Sequence, residues 1–176
     1  MSETAPSHIP GDCRGQNFFR SDDGLRQLLP HYLDRAALAQ LEPHFDRLGD
    51  LAGGRLDELA GIADKNPPRL HARDRMGRDE DWIEYHPAYR EMEQIAFADF
   101  QFQAMSHRGG VLGCARPLPP VAKYVFQYLF VQGEFGLMCP ISVTDTSIHL
   151  IRKYADSATK EYLLSRMLAE NPALLW

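Results

Sequence analysis

The residues of this chain whose types could do chemistry are two carboxylates, scattered histidines and a run of small hydroxyl side chains. They gather loosely around the stretch Gly133–Tyr154, GEFGLMCPISVTDTSIHLIRKY. Glu134 and Asp145 could act as a general acid and base only inside a closed cleft that separates their pKa values. The local pattern reads otherwise: Glu134 faces solvent or ends a helix, and Asp145 bonds a neighbouring backbone group or cation. A zinc or iron site needs several convergent ligands. His31, His44, His71, His86, His107 and His149 are dispersed, with no HExxH or HxxxH pair on a predicted helix, so they read as surface or capping residues. His86 reads as part of a helix entrance.

Ser142, Thr144, Thr146 and Ser147 crowd one predicted helix, and none lies in GxSxG, so no nucleophile elbow is indicated. Such residues either allow another element to pack closely or line a ligand cavity beside Val143; packing is the default. Cys139 precedes a proline at a helix entrance, where a thiol pKa can fall. With no base or second cysteine nearby, a buried, inert thiol is the expectation. Arg108–Gly113 has glycine spacing that fits neither GxGxxG nor GxxxxGK[ST], and no strand precedes it. Phe126, Tyr128, Phe130 and Phe135 form an aromatic cluster suited to a core, a domain interface or an apolar pocket wall.

The elements that must position these residues are helices. Ser21-Asp22-Asp23 starts one carrying Leu25, Leu28 and Leu29, with Pro30 at its end or at a kink. Asp34 caps a second, whose stripe runs Leu38, Leu41, Phe45, Leu48. Pro43 predicts a kink or break there, Gly53-Gly54 weakens the middle, and Leu56, Leu59 and Ile62 resume the stripe until Asn66-Pro67-Pro68. Residues 69–85 read as a short hairpin turning at Gly77. His86-Pro87 opens a helix with Ala88, Met92, Ile95, Ala96 and Phe100 on its buried side, fading by Ser106. Residues 106–120 are a loop. Val121, Tyr124, Val125, Tyr128 and Leu129 mark one helix face, and Leu137, Ile141, Thr144, Ile148 and Ile151 mark the next. Asp156 or Ser157 caps a last helix that Asn171-Pro172 closes before Trp176. The fold class is all-α, an irregular bundle of about six helices with one short β-hairpin near residues 69–85.

The 176 residues suffice for one domain with a real core. A net charge of −5 argues against a surface dominated by nucleic-acid contacts. Cys13, Cys114 and Cys139 are odd in number and far apart, which points to a reducing cytoplasm rather than a disulfide framework. The first residues have no apolar core of a secretory signal, and no apolar run approaches membrane-spanning length. Residues 1–20, rich in Pro, Gly, Ser and charge, read as a flexible arm, except that Phe18 and Phe19 can dock on the core.

Residues 131–167, VQGEFGLMCPISVTDTSIHLIRKYADSATKEYLLSRM, resemble the N-terminal helical domain of acyl-CoA dehydrogenases. The resemblance rests on the small-residue corner, on Lys153-Tyr154 and on Lys160-Glu161-Tyr162-Leu163. Upstream, Asn66-Pro67-Pro68, Gly77-Arg78 and Tyr85-His86-Pro87-Ala88-Tyr89 look like the branch that includes the DNA-alkylation adaptive-response flavoproteins.

The resemblance implies that residues 21–176 are the first part of a three-part enzyme, with a β-domain and a C-terminal bundle absent from this chain. It implies FAD held between those two absent parts, an acyl-CoA thioester as substrate of fatty-acid metabolism, and a base from the C-terminal bundle. By the same resemblance the whole protein is a homo-oligomeric oxidoreductase acting on CH–CH bonds. The chain alone would be inactive, without a flavin site, and would contact neither nucleic acid nor membrane. Carried over by position, the acyl-pocket candidates are Phe135, Cys139, Ser142, Val143 and Thr146. The alternatives are a stand-alone helical interaction module and a DNA-alkylation-response protein acting by binding.

Overall fold

The computed structural model describes residues 11–169. The outer part of the arm, residues 1–10, and the expected stop at Asn171-Pro172 with Trp176 lie outside them. Among the described residues there are seven α-helices and one two-stranded sheet. Helix α1 (Asp23–Tyr32) begins where the Asp22 carboxylate accepts from Leu25 N at 2.8 Å, and it carries on through Pro30. Helix α2 (Arg35–Gly53) begins the same way, with Asp34 accepting from Ala37 N. The break expected at Pro43 does not occur. An interior proline costs roughly 3 kcal/mol, and burial of Leu41, Phe45, Leu48 and Ala52 along one side of α2 offsets it.

The chain divides instead at Gly54, whose backbone leaves helical geometry (φ −127°, ψ −101°). The stripe resumed at Leu56 is therefore a separate helix, α3 (Arg55–Asp64). Gly49 and Gly53 have a further use. Residues 15–20 cross α2 there, with Gly15 N donating to Gly53 O (2.6 Å) and Phe18 N to Gly49 O (3.0 Å). A Cβ at Gly49 would run into Asn17 and Phe19, and one at Gly53 into Gln16 O. Asn17 also donates to Asp46 O, Arg20 pairs with Asp46, and Phe19 is buried.

Strands β1 (Arg69–Arg73) and β2 (Asp79–Glu84) form the hairpin, antiparallel, with Leu70 opposite Ile83 and His71 opposite Trp82. Asp74 accepts from Met76 N and Arg78 N, and Gly77 takes the positive φ that the turn requires. Helix α4 (Pro87–Glu93) starts at His86, whose Nδ1 accepts from Ala88 N at 3.1 Å. It does not continue to Ser106. Residues Gln94–Asp99 widen into a π-helix that ends at Phe100. Ile95, Ala96, Phe97 and Phe100 are all buried, and four apolar residues this dense exceed one 3.6-residue stripe; the wider turn brings them inside together. The following loop closes by Leu118 N donating to Met105 O.

Helices α5 (Pro120–Gly133), α6 (Met138–Tyr154) and α7 (Ser157–Met167) complete the bundle. Helix α5 packs on α2 through Phe45 and Phe126, whose ring centroids lie 4.6 Å apart. Its buried side is Ala122, Val125, Phe126, Leu129 and Phe130, while Tyr124 and Tyr128 are exposed. The expected stripe was thus rotated. Phenylalanine has no polar group to satisfy, whereas the Tyr128 hydroxyl reaches outward to donate to Asp22 at 2.8 Å.

The close crossing of residues 15–20 over α2 gives the first prediction. Gly53→Ala should lower stability by about 1–3 kcal/mol through overpacking, read as a fall in thermal midpoint. Gly61→Ala, in open space on α3, should raise it by up to about 1 kcal/mol.

Candidate functional site

The corner between α5 and α6 is built by close approach. Gly133 lies so near Ala52 O and Leu56 of the α2–α3 junction that a Cβ there would press on both. Glu134 then turns back, and its carboxylate accepts from Leu137 N at 3.0 Å, next to the entrance of α6. Its charge also reaches Tyr89. Burial first, then the neighbouring Glu93, Tyr85 and Glu134, push that phenol up to about 12, so it stays protonated near neutrality. The His86 entrance is held by stacking of Tyr85 on Tyr89 (4.7 Å), with the Arg90 guanidinium over Tyr85 and on Glu93.

Helix α6 has two different faces. Met138, Ile141 and Ile148 are buried inward, following Leu137, with Thr144 and Ile151 half-buried beside them. The outer face carries Cys139, Ser142, Val143 and Thr146, with Phe135 just before it. All five candidate positions are exposed; Phe135 is 77% and Val143 60% accessible. The helix repeat brings them together on an open face, continued by Leu150 and Tyr154. Cys139 is therefore not the buried thiol expected. The buried cysteine is Cys114, whose thiol burial pushes up. The aromatic cluster also splits: Phe126 and Phe130 are core, and Tyr128 and Phe135 face out.

Asp145 sits where α6, α5 and the loop after the π-helix meet. Its carboxylate accepts from Lys123 Nζ (2.9 Å) and from His107 Nε2 (2.9 Å). The same Nε2 lies 3.1 Å from Asp145 O, which can only accept, so Nε2 carries the proton and Nδ1 is left to accept from Arg152 at 3.5 Å. Burial pushes the Asp145 carboxyl up, but the hydrogen bonds from His107 and Lys123 outweigh it and hold the group below the ordinary 3.8. His107 and Lys123 stand 38 and 22 residues from Asp145, and Arg152 stands 45 from His107, so nothing local in the sequence pairs them. Their hydrogen bonds join α5, α6 and the loop to one another, so the cluster positions α6.

The glycine loop makes no phosphate cradle. Gly109 lies against Ala115 O, Gly110 N donates to Cys114 O, and Arg108 bonds Gln101 and Gly109 O. Among the described residues, no group of three or more His, Cys, Asp or Glu converges as a metal site, and no helix is long and apolar enough to cross a membrane. A groove of about 250 Å³ lies between α1 and α5, lined by Leu25, Leu28, Tyr32, Tyr124 and Tyr128, all but Tyr32 from the helix faces read in the sequence.

Comparison with known proteins agrees with the helical architecture. A family model described as the adaptive response protein AidB N-terminal domain matches residues 9–171. No curated protein matches the sequence. A solved structure described as "Bd2924 apo-form" superposes with a TM-score of 0.81 at 24% identity, covering 97% of this chain and 33% of that one. The chain thus spans about a third of the length of that structure.

The ion cluster sets the second prediction. Asp145→Asn leaves Lys123 nearly buried without its counter-charge and should cost about 3 kcal/mol, whereas Lys123→Met with Asp145→Leu should cost less. Because the folded carboxyl is held low, its contribution is fully present above the ordinary 3.8 and is lost as pH falls toward and through the lowered folded value. Urea unfolding across acidic pH should show a larger loss in the natural protein than in Asp145→Asn, in which Asp46, Glu91 and Asp156, also held low, still contribute.

Proposed function

Because the chain belongs to the AidB N-terminal domain family, we propose that it is the first helical domain of an FAD-dependent, acyl-CoA dehydrogenase-like oxidoreductase, and that the outer face of α6 forms one wall of the acyl site. The observation that carries this reading is the exposed face holding Phe135, Cys139, Ser142, Val143 and Thr146. An apolar chain suits Phe135 and Val143, and Ser142 and Thr146 are small enough to let it approach. An exposed apolar strip of this kind is the usual mark of a surface that another body covers. The partner is then the remainder of the same polypeptide, in a homo-oligomeric protein of the cytoplasm. The unpaired Cys13, Cys114 and Cys139 accord with a reducing compartment.

The described residues do not fit a flavin by themselves. The one glycine-rich loop is filled by its own contacts, and no strand leads into it. The flavin and the base therefore belong to other parts of the protein, and this chain contributes shape and exclusion of water at the acyl chain. The acidic balance of the chain offers little to a DNA backbone.

The test is Val143→Trp in the whole natural protein. Acyl-chain preference should shift toward shorter substrates, with flavin absorbance per protein unchanged. A folded variant that handles every chain length as before would make this face a packing surface and nothing more.

A further inference from the structure

A cleft of about 730 Å³ lies between α2 and the stretch where the helix after His86 widens. Arg47, Asp50 and Leu51 come to it from α2, and Gln94, Ile95 and Asp99 from the π-helix. In an α-helix, residues five apart stand about 140° from each other around the axis. A π-turn closes residue i on i+5, as Phe100 N does on Ile95 O at 3.1 Å. The widening therefore brings Gln94 and Asp99 to the same side, where both line the cleft. Buried Ile95 and half-buried Leu51 supply an apolar floor. The charges are unequally paired. Arg55, at the edge, donates to both Glu91 oxygens at 2.8 Å and to Glu58. The Arg47 guanidinium lies over the buried Phe100 ring, 4.4 Å from its centroid, and makes no ion pair among the described residues. The Asp50 and Asp99 carboxylates and the Gln94 amide make no hydrogen bond or ion pair among the described residues either.

We propose that this cleft binds a free α-amino acid with an apolar side chain. A simple anion on Arg47 would stand beside two carboxylates that lack a counter-charge, and a simple cation would stand beside Arg47. A metal ion finds no group of three or more ligands among the described residues. A zwitterion answers both signs at once. Its carboxylate takes paired N–H groups of the Arg47 guanidinium, its ammonium group donates to Asp50 and Asp99, and its side chain covers Leu51 and Ile95. An α-amino acid carries its two charges on one carbon, so their partners must be close. Arg47 and Asp50 are three residues apart on α2, which makes them neighbours on the helix surface, about 5–6 Å between Cβ atoms. Stacking on Phe100 holds the guanidinium in place before a ligand arrives, which lowers the cost of ordering it. The cleft shares no residue with the outer face of α6, and the inference is independent of the acyl site.

The experiment is calorimetric titration of the whole natural protein with L-leucine, with helical circular dichroism as a folding control for each variant. Saturable binding at one site per chain is expected. Isocaproate, which is leucine without its ammonium group, and isoamylamine, which is leucine without its carboxylate, should each bind about tenfold more weakly or worse. Arg47→Met keeps an unbranched side chain over Phe100 and removes the charge. It should weaken L-leucine by about tenfold or more and leave isoamylamine no weaker. Asp50→Asn with Asp99→Asn should weaken L-leucine and leave isocaproate no weaker. No binding of L-leucine at millimolar concentration overturns the proposal, the result expected if a protein surface covers the cleft. A single-charge analogue that binds as tightly as L-leucine overturns it too, and so does L-leucine binding that both sets of substitutions leave unchanged. None of these outcomes touches the reading of α6, which fails only on acyl-chain preference.

Discussion

A chain of phenylalanine rings runs through this domain, and the rest of the structure leans on it. Phe19 lies against Phe45, Phe45 against Phe126, Phe126 against Phe100, Phe100 against Phe102 and Phe102 against Phe130, with centroids 4.6–6.0 Å apart. Those rings come from the segment before α1, from α2, from α5 and from the π-helix with the turn after it. Six rings buried in tilted, stacked or edge-on contact supply much of the apolar area removed from water, and they fix which side of each element faces in. The continuity of α2 through Pro43, the rotation of α5 and the widening of the helix at Gln94–Asp99 all follow from seating these rings together.

The outward face of α6 is a consequence of the same packing. Gly133 lets α5 end against the α2–α3 junction, and the turn at Glu134 then sends α6 back along the bundle. Leu137, Ile141 and Ile148 hold its inner side, and the Lys123–Asp145–His107 cluster adds a polar lock between α5, α6 and the loop. Partly buried charges joined this way contribute less to net stability than to choosing one arrangement, since removing one partner strands the other. The lock holds the rotation of α6 about its own axis, and that rotation decides that Phe135, Cys139, Ser142, Val143 and Thr146 look away from the core.

Much of the fold was legible because it depends on neighbours within one helical turn. The caps at Asp22, Asp34 and Asp156, the turn at Gly77, the His86-Pro87 entrance and the inner stripe of α6 are all such features. The acyl-pocket candidates, by contrast, were carried over from the family resemblance, and the helix repeat sets Cys139, Ser142, Val143 and Thr146 on one exposed face of α6. What was not legible involved competition between distant groups. The Gly49 and Gly53 positions look like weak points in a helix until residues 15–20 are laid across them. Tyr124 and Tyr128 match an apolar stripe as well as Phe126 and Phe130 do, and only the rings waiting on α2 and the π-helix separate the two pairs.

By itself, then, the sequence determined the helical class, the hairpin and most element starts, because propensity, capping and periodicity act over a few residues. The tertiary structure alone decided which of two plausible faces α5 buries, that the helix after His86 becomes a π-helix, and that His107, Lys123, Asp145 and Arg152 meet. It also decided that Cys139 is exposed and Cys114 buried. Each of these is settled by which apolar groups fill a shared volume and which polar groups must then find partners across it, and such choices exist only once distant elements occupy the same space.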